Sequence, residues 1–150
     1  MQTIRRFLVM SLMILAVLSL VACGGSNENA GHVEPYELEE VAGSEFQNVI
    51  LTAKAAERLD IQSEALNMED VDGEMKLVAP YSAVLYDLNG ETYAYTRNAG
   101  PSSLTFIRAP IEIERIEGGR VILTSGPPEG THLVTVGAAE LYGADTGVGK

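Results

Sequence analysis

The stretch Pro80–Arg97, PYSAVLYDLNGETYAYTR, limits the fold more than any other part of the chain. Two extended runs flank Asn89-Gly90, a dipeptide suited to a two-residue type I′ hairpin because both turn positions need positive φ. Counting back from that turn places Tyr86 opposite Tyr93 and Val84 opposite Tyr95. Aromatic and β-branched cross-strand pairs of this kind stabilise a sheet. Four of the six tyrosines, Tyr81, Tyr86, Tyr93 and Tyr95, lie in this stretch, so the hairpin is expected at the centre of the core. The same four are the candidate contact or ligand surface, although a tyrosine stripe on a strand more often packs inward.

Turn signals recur along the rest of the chain. Phe46–Leu51 is an expected strand. Thr52 can cap a short helix over about 53–59, with Ala53, Ala55 and Ala56 as strong helix formers. Ile61–Leu66 is a weaker strand, 67–74 is polar with a turn at Asp72-Gly73, and Met75–Ala79 leads into the hairpin. Leu104–Ala109 and Ile111–Glu114 extend towards Gly118-Gly119, which joins them to Arg120–Thr124 as a second hairpin. Arg120 can pair with Glu117 across it. Ser125–Gly130 is a rigid turn, His132–Val136 the last strand, and Ala138–Tyr142 either strand or a turn of helix. The expected fold is mainly β: a small β-barrel or β-roll of about seven or eight short strands with one short helix.

Charge narrows the partners. The 150 residues carry 10 Lys and Arg against 21 Asp and Glu. Removing Arg5 and Arg6 with the segment described next leaves 8 against 21, a net charge of −13. Nucleic acid is excluded as a partner, because phosphate binding needs clustered cations. A polybasic membrane grip is excluded on the same ground.

Residues 1–22 have the layout of a secretory signal: Arg5 and Arg6, then the apolar run Phe7–Leu20, short of the roughly 20 residues that span a bilayer. Leu20-Val21-Ala22-Cys23, followed by Gly24-Gly25-Ser26, resembles a bacterial lipobox. The resemblance implies cleavage before Cys23 and acylation of its thiol, giving a lipoprotein on the outer, extracytoplasmic face of the cell membrane. Two or three acyl chains, at roughly 0.8 kcal/mol per buried CH2, hold far better than one. Cys23 is the single cysteine, so no intramolecular disulfide forms. Residues 23–44 follow as a flexible acidic tether, whose five glutamates from Glu28 to Glu40 repel one another. Twenty such residues span about 25 Å. The β domain is expected over 45–143, and 144–150 as a flexible Gly-rich tail.

Three further segments resemble one family. Leu51–Ile61, LTAKAAERLDI, is similar to a segment near the start of periplasmic adaptor (membrane fusion) subunits of RND-type efflux pumps. Val78–Tyr86, VAPYSAVLY, resembles the segment that opens their membrane-proximal domain, and Val121–Gly137, VILTSGPPEGTHLVTVG, the one that closes it. The order matches. The lipoyl, α-hairpin and β-barrel parts of the family are missing, since Gln62–Leu77 alone separates the first two segments. The resemblance implies a membrane-proximal domain by itself, which binds a transporter without bridging to an outer-membrane channel. No family site residue for metal or drug has a matching position.

No catalytic constellation is visible, and the chain reads as a non-enzyme. His32 and His132 are 100 residues apart in sequence, and nothing in the spacing joins His132 to Ser82 or Ser125 and a carboxylate as a triad requires. His132 reads as a half-buried structural residue. His32 with Glu34 and Glu37 is too poor a ligand set for zinc. No metal or cofactor is expected. The reading is a lipid-anchored accessory or adaptor-like module, tethered through Cys23, that binds an integral membrane transporter or another envelope protein. The contact surface is expected on the exposed parts of 81–97 and on the 104–116 strands. The alternatives are a small-molecule or cation-binding lipoprotein, using the tyrosine face or the acidic tether, and an adaptor remnant with no partner.

Overall fold

Alternating apolar and polar residues with frequent turns build a mainly β fold. The computed structural model describes residues 34–98, 100 and 102–147. The signal segment, the lipobox Leu20, Val21 and Ala22, Cys23, His32 and the tether up to Val33 lie outside the described residues.

Eleven strands are found among the described residues. They are β1 Tyr36–Glu40, β2 Gln47–Leu51, β3 Gln62–Ala65, β4 Asn67–Val71, β5 Glu74–Pro80 and β6 Leu85–Tyr86, then β7 Thr92–Arg97, β8 Thr105–Pro110, β9 Glu112–Glu117, β10 Arg120–Ser125 and β11 His132–Val136. Helix α1 is Ala53–Arg58 and helix α2 is Ala138–Thr146. A seven-stranded sheet runs β1-β2-β8-β7-β11-β3, with β6 also paired to β7; a four-stranded sheet runs β4-β5-β10-β9.

The chain changes sheet at residues buried between the layers. Leu66, fully buried, joins β3 of the large sheet to β4 of the small one. Its N–H donates to the Thr131 carbonyl (2.8 Å) and its carbonyl accepts from the Gly130 N–H (2.8 Å). Ile111 does the same between β8 and β9: its N–H donates to the Thr92 carbonyl (3.0 Å), and its carbonyl accepts from the Thr92 hydroxyl (2.6 Å). A crossing that lacked such partners would leave buried backbone groups unpaired, at about 1–3 kcal/mol each. Leu66, Ala79, Ala83, Ala94, Ile111, Val121, Leu123 and Leu133 fill the space between the sheets. The other face of the large sheet carries Val49, Leu51, Tyr95, Phe106 and Val134, packed against Ala55 of α1 and Ala138 and Leu141 of α2. The layers are therefore helices, large sheet, small sheet.

Several expectations hold. Thr52 caps α1, its Oγ1 accepting from the Ala55 N–H at 3.2 Å. Gly118-Gly119 closes the β9–β10 hairpin with both residues at positive φ, as type I′ requires. Strand β7 is buried along its middle four residues.

Others are corrected. The Asn89-Gly90 hairpin is not a two-residue type I′ turn, because Gly90 alone has positive φ. Asp87 and Glu91 close a three-residue loop instead. Gly90 N–H donates to the Asp87 carbonyl (3.1 Å), and Asp87 Oδ1 accepts from the Asn89 and Glu91 N–H groups (2.9 and 2.8 Å). The aspartate side chain takes over the turn, as Asp does where it can bond its own backbone. The register moves by one: Tyr86 faces Thr92 and Leu85 faces Tyr93. A slip of one residue changes the face of every side chain.

The domain also starts earlier than residue 45. Part of the stretch expected as tether is β1, which pairs with β2 from Tyr36↔Leu51 to Glu40↔Gln47. It ends later than 143, because Ala144–Thr146 belong to α2 rather than to a flexible tail. The polar stretch 67–74 is largely β4, hairpinned to β5 through Asp72-Gly73. Arg120 ion-pairs with Glu69 rather than Glu117, while Glu117 lies 3.5 Å from Arg115.

Candidate functional site

The four candidate tyrosines do not form one surface. Tyr93 and Tyr95 are buried, at 8% and 0% exposure, and Tyr81 and Tyr86 are exposed. The cause is the register: Tyr93 and Tyr95 alternate onto the helix-covered face of β7, whereas Tyr86 opposes Thr92 on the other face.

Beneath the helices the buried pair meets charge that the sequence did not single out. Arg108, opposite Tyr95 on β8, places its guanidinium over the rings of Phe46 (5.1 Å), Tyr93 (5.5 Å) and Tyr142 (5.6 Å). Its Nε lies 2.6 Å from Asp145 Oδ2. That approach is off the N–H axis, so the contact is an ion pair and not a well-aligned hydrogen bond. Asp145 is 1% exposed at its side chain. Tyr95 Oη donates to its Oδ2 at 2.6 Å, and Gln47 Nε2 donates to its Oδ1 (3.2 Å) and to its backbone carbonyl (3.0 Å). Burial, then the bond to Asp145, pushes the Tyr95 phenol well above the ordinary tyrosine range. Tyr93 donates to Glu91 Oε2 at 2.6 Å; that bond first, then burial, raises it to about 12 against the opposing charge of Arg108.

Among these aromatic faces, the position a ligand cation would take is filled by Arg108 itself. The cluster fastens α2 to the large sheet. Its sequence signals were faint: one arginine in the apolar run LTFIRA, and one carboxylate in the last turn of AELYGADT.

The exposed pair lies elsewhere. Tyr81 opens the 3₁₀ turn Tyr81–Ala83, and its N–H donates to the Gly119 carbonyl at 2.9 Å. The hydrogen bond to Tyr81, followed by burial, raises Tyr86 above the usual phenol range. Leu88, at the hairpin tip, is 98% exposed. Tyr81, Tyr86 and Leu88 are thus three exposed large apolar side chains close together in the chain. Asp87 and Glu91 flank Leu88, and no described cation ion-pairs with either. Of the 104–116 strands, Ile116 is half exposed, and Phe106 and Ile111 are buried.

His132 is half-buried on β11 opposite Ala65. Its Nδ1, the nitrogen that a triad carboxylate would hold, has no hydrogen bond among the described residues. Among the described residues no three His, Cys, Asp or Glu side chains are grouped to hold a metal ion, and no helix is long and apolar enough to cross a membrane. No protein-family model, curated protein or solved structure matches the chain.

Proposed function

We propose that this chain is a lipid-anchored, non-enzymatic accessory module that binds an efflux-type membrane transporter or another envelope protein. The observation that carries the reading is the exposed trio Tyr81, Tyr86 and Leu88, on a chain that opens with a lipobox ending at Cys23. Single exposed apolar residues are ordinary, but several close together mark contact sites. The resemblance to the membrane-proximal domain of efflux adaptors supports it. The segments 78–86 and 121–137 are neighbours in space, β5 pairing with β10 and β11 packing on the Tyr81–Ala83 turn. The mechanism is tethering: an anchored module meets a membrane partner at high effective concentration without needing high intrinsic affinity.

The test is fractionation of cells making the tagged full-length chain, followed by detergent extraction and mass spectrometry. The chain should sediment with membranes, Cys23→Ser should release it, and one integral membrane protein should co-purify with the wild type in stoichiometric yield. A chain whose distribution ignores Cys23→Ser, or a wild-type extract with no enriched membrane protein, overturns the reading.

A further inference from the structure

We infer that the Tyr81–Tyr86–Leu88 patch takes a positively charged, extramembrane segment of a protein partner, at the end of the large sheet opposite the start of β1. This rests on the proposed role as a partner-binding module and adds the chemistry and place of the contact.

The place follows from register. The chain reaches β1 at Tyr36, which lies opposite Leu51; on neighbouring strands Ile50 faces Thr105 and Phe106 faces Arg97, so all of these share one end of the sheet. At the other end Glu40 faces Gln47, Tyr93 faces Pro110 and Tyr86 faces Thr92, and the loop carrying Leu88 projects beyond them. Two positions from Leu51 to Val49, level with Phe106 and Arg97, and five from Arg97 to Thr92 separate Tyr36 from Tyr86 by roughly 23 Å at 3.3 Å per residue. Two carboxylates beside the exposed apolar side chains make a segment outside the hydrocarbon of the membrane the favoured occupant.

The chemistry follows from charge. Asp87 and Glu91 bracket Leu88, and neither is neutralised by a described cation. Asp87 spends Oδ1 on the Asn89 and Glu91 N–H groups and accepts from the Asn89 side-chain amide at Oδ2 (3.2 Å), and Glu91 spends one oxygen on Tyr93. Each carboxylate keeps acceptor capacity towards solvent. Lysine or arginine answers both features, laying an aliphatic stem on Tyr86 and Leu88 and a charged head on the carboxylates or over a tyrosine face. A surface of anionic lipid would meet the same carboxylates as repulsion.

The test uses the full-length lipidated chain in cells, with a benzophenone amino acid at Leu88 and, as a comparison, at Tyr36. Asp87→Asn with Glu91→Gln keeps one acceptor oxygen for the turn N–H groups and one for Tyr93, gives up the Asn89 amide contact and removes two charges. The expected result is a Leu88 crosslink to a Lys- or Arg-rich extramembrane segment of one protein. Its yield should fall roughly threefold or more in the double variant and in Tyr86→Ser. A crosslink to lipid, to a second copy of this chain or to a neutral or acidic segment overturns the inference, as does a yield unmoved by the double variant. A protein crosslink from Tyr36 with none from Leu88 overturns it while leaving the binding role standing. No crosslink from either position removes both.

Discussion

Among the described residues, Asp145 is the carboxylate with the least water around it, and it meets Arg108, Tyr95 and Gln47. A buried ion pair brings little net stability, because desolvation offsets attraction, yet removing one partner strands the other and costs about 3–5 kcal/mol. Arg108 is 17% exposed at its side chain, so its own stranding is partly relieved by water, whereas that of Asp145 is not. Urea unfolding should show Arg108→Ala, which strands Asp145, destabilised by about 4 kcal/mol and Asp145→Ala by less, about 3 kcal/mol. The double variant should lose clearly less than the sum, since neither charge is then left alone. Additive losses would mean that the two groups do not act as a pair. The tyrosines nearby set a pH limit. A phenol whose folded pKa lies above its unfolded value of about 10 favours the folded state while it stays protonated. For Tyr93, raised to about 12, that contribution is complete below pH 10 and disappears as pH climbs through 12; Tyr95 is shifted the same way. Absorbance titration of the folded chain should leave these two phenols protonated above pH 10, with urea stability falling from pH 10 upward. Tyr93→Phe should remove one late-titrating group; an unchanged late amplitude would contradict the assignment.

At the scale of elements, what could be read from sequence was whatever depends on near neighbours. Thr52 three residues before Ala55, and the paired glycines before Arg120, act through bonds closed within a few residues, and both behave as read. The Asn89-Gly90 hairpin was also local, but two local signals competed there. Asp87 offers a side-chain acceptor to the turn, and it set the loop length against the dipeptide. Strand β1 was invisible for another reason. Of YELEE only Tyr36 is partly buried, and the rest of the strand is held by backbone pairing with β2, which composition does not report. Strand β4 repeats the case, with Glu69 on the outer face ion-paired to Arg120. The candidate site divided along the same line. Exposure of Tyr81 and Tyr86 and burial of Tyr93 and Tyr95 depended on a register the turn decided. Asp145 depended on partners 50 and 98 residues away, Tyr95 and Gln47, which no local pattern links.

The whole molecule carries an excess of negative charge that its paired cations do not cancel. Arg115 sits beside Asp72, Glu114 and Glu117, Arg120 beside Glu69, and Lys76 beside Glu74 and Glu114, all on the small sheet. Such exposed pairs are worth about 0–1 kcal/mol each, and salt weakens them. Against them stands the mutual repulsion of 8 cations and 21 carboxylates from residue 23 onward, which salt weakens too. The two effects predict opposite signs, and range decides between them. Contacts within 4 Å are screened little, because the Debye length falls only from about 30 Å to about 8 Å between 0.01 M and 0.15 M salt. Repulsion summed over separations of 10–30 Å falls by roughly 60% or more across that interval. Repulsion therefore loses more. The chain from residue 23 onward, with Cys23→Ser, should melt at a higher temperature in 0.15 M than in 0.01 M sodium chloride, and Glu69→Gln should leave that rise in place. A melting temperature that fell with salt would assign net stabilisation to the ion pairs of the small sheet, and Glu69→Gln and Asp72→Asn should then shrink the fall.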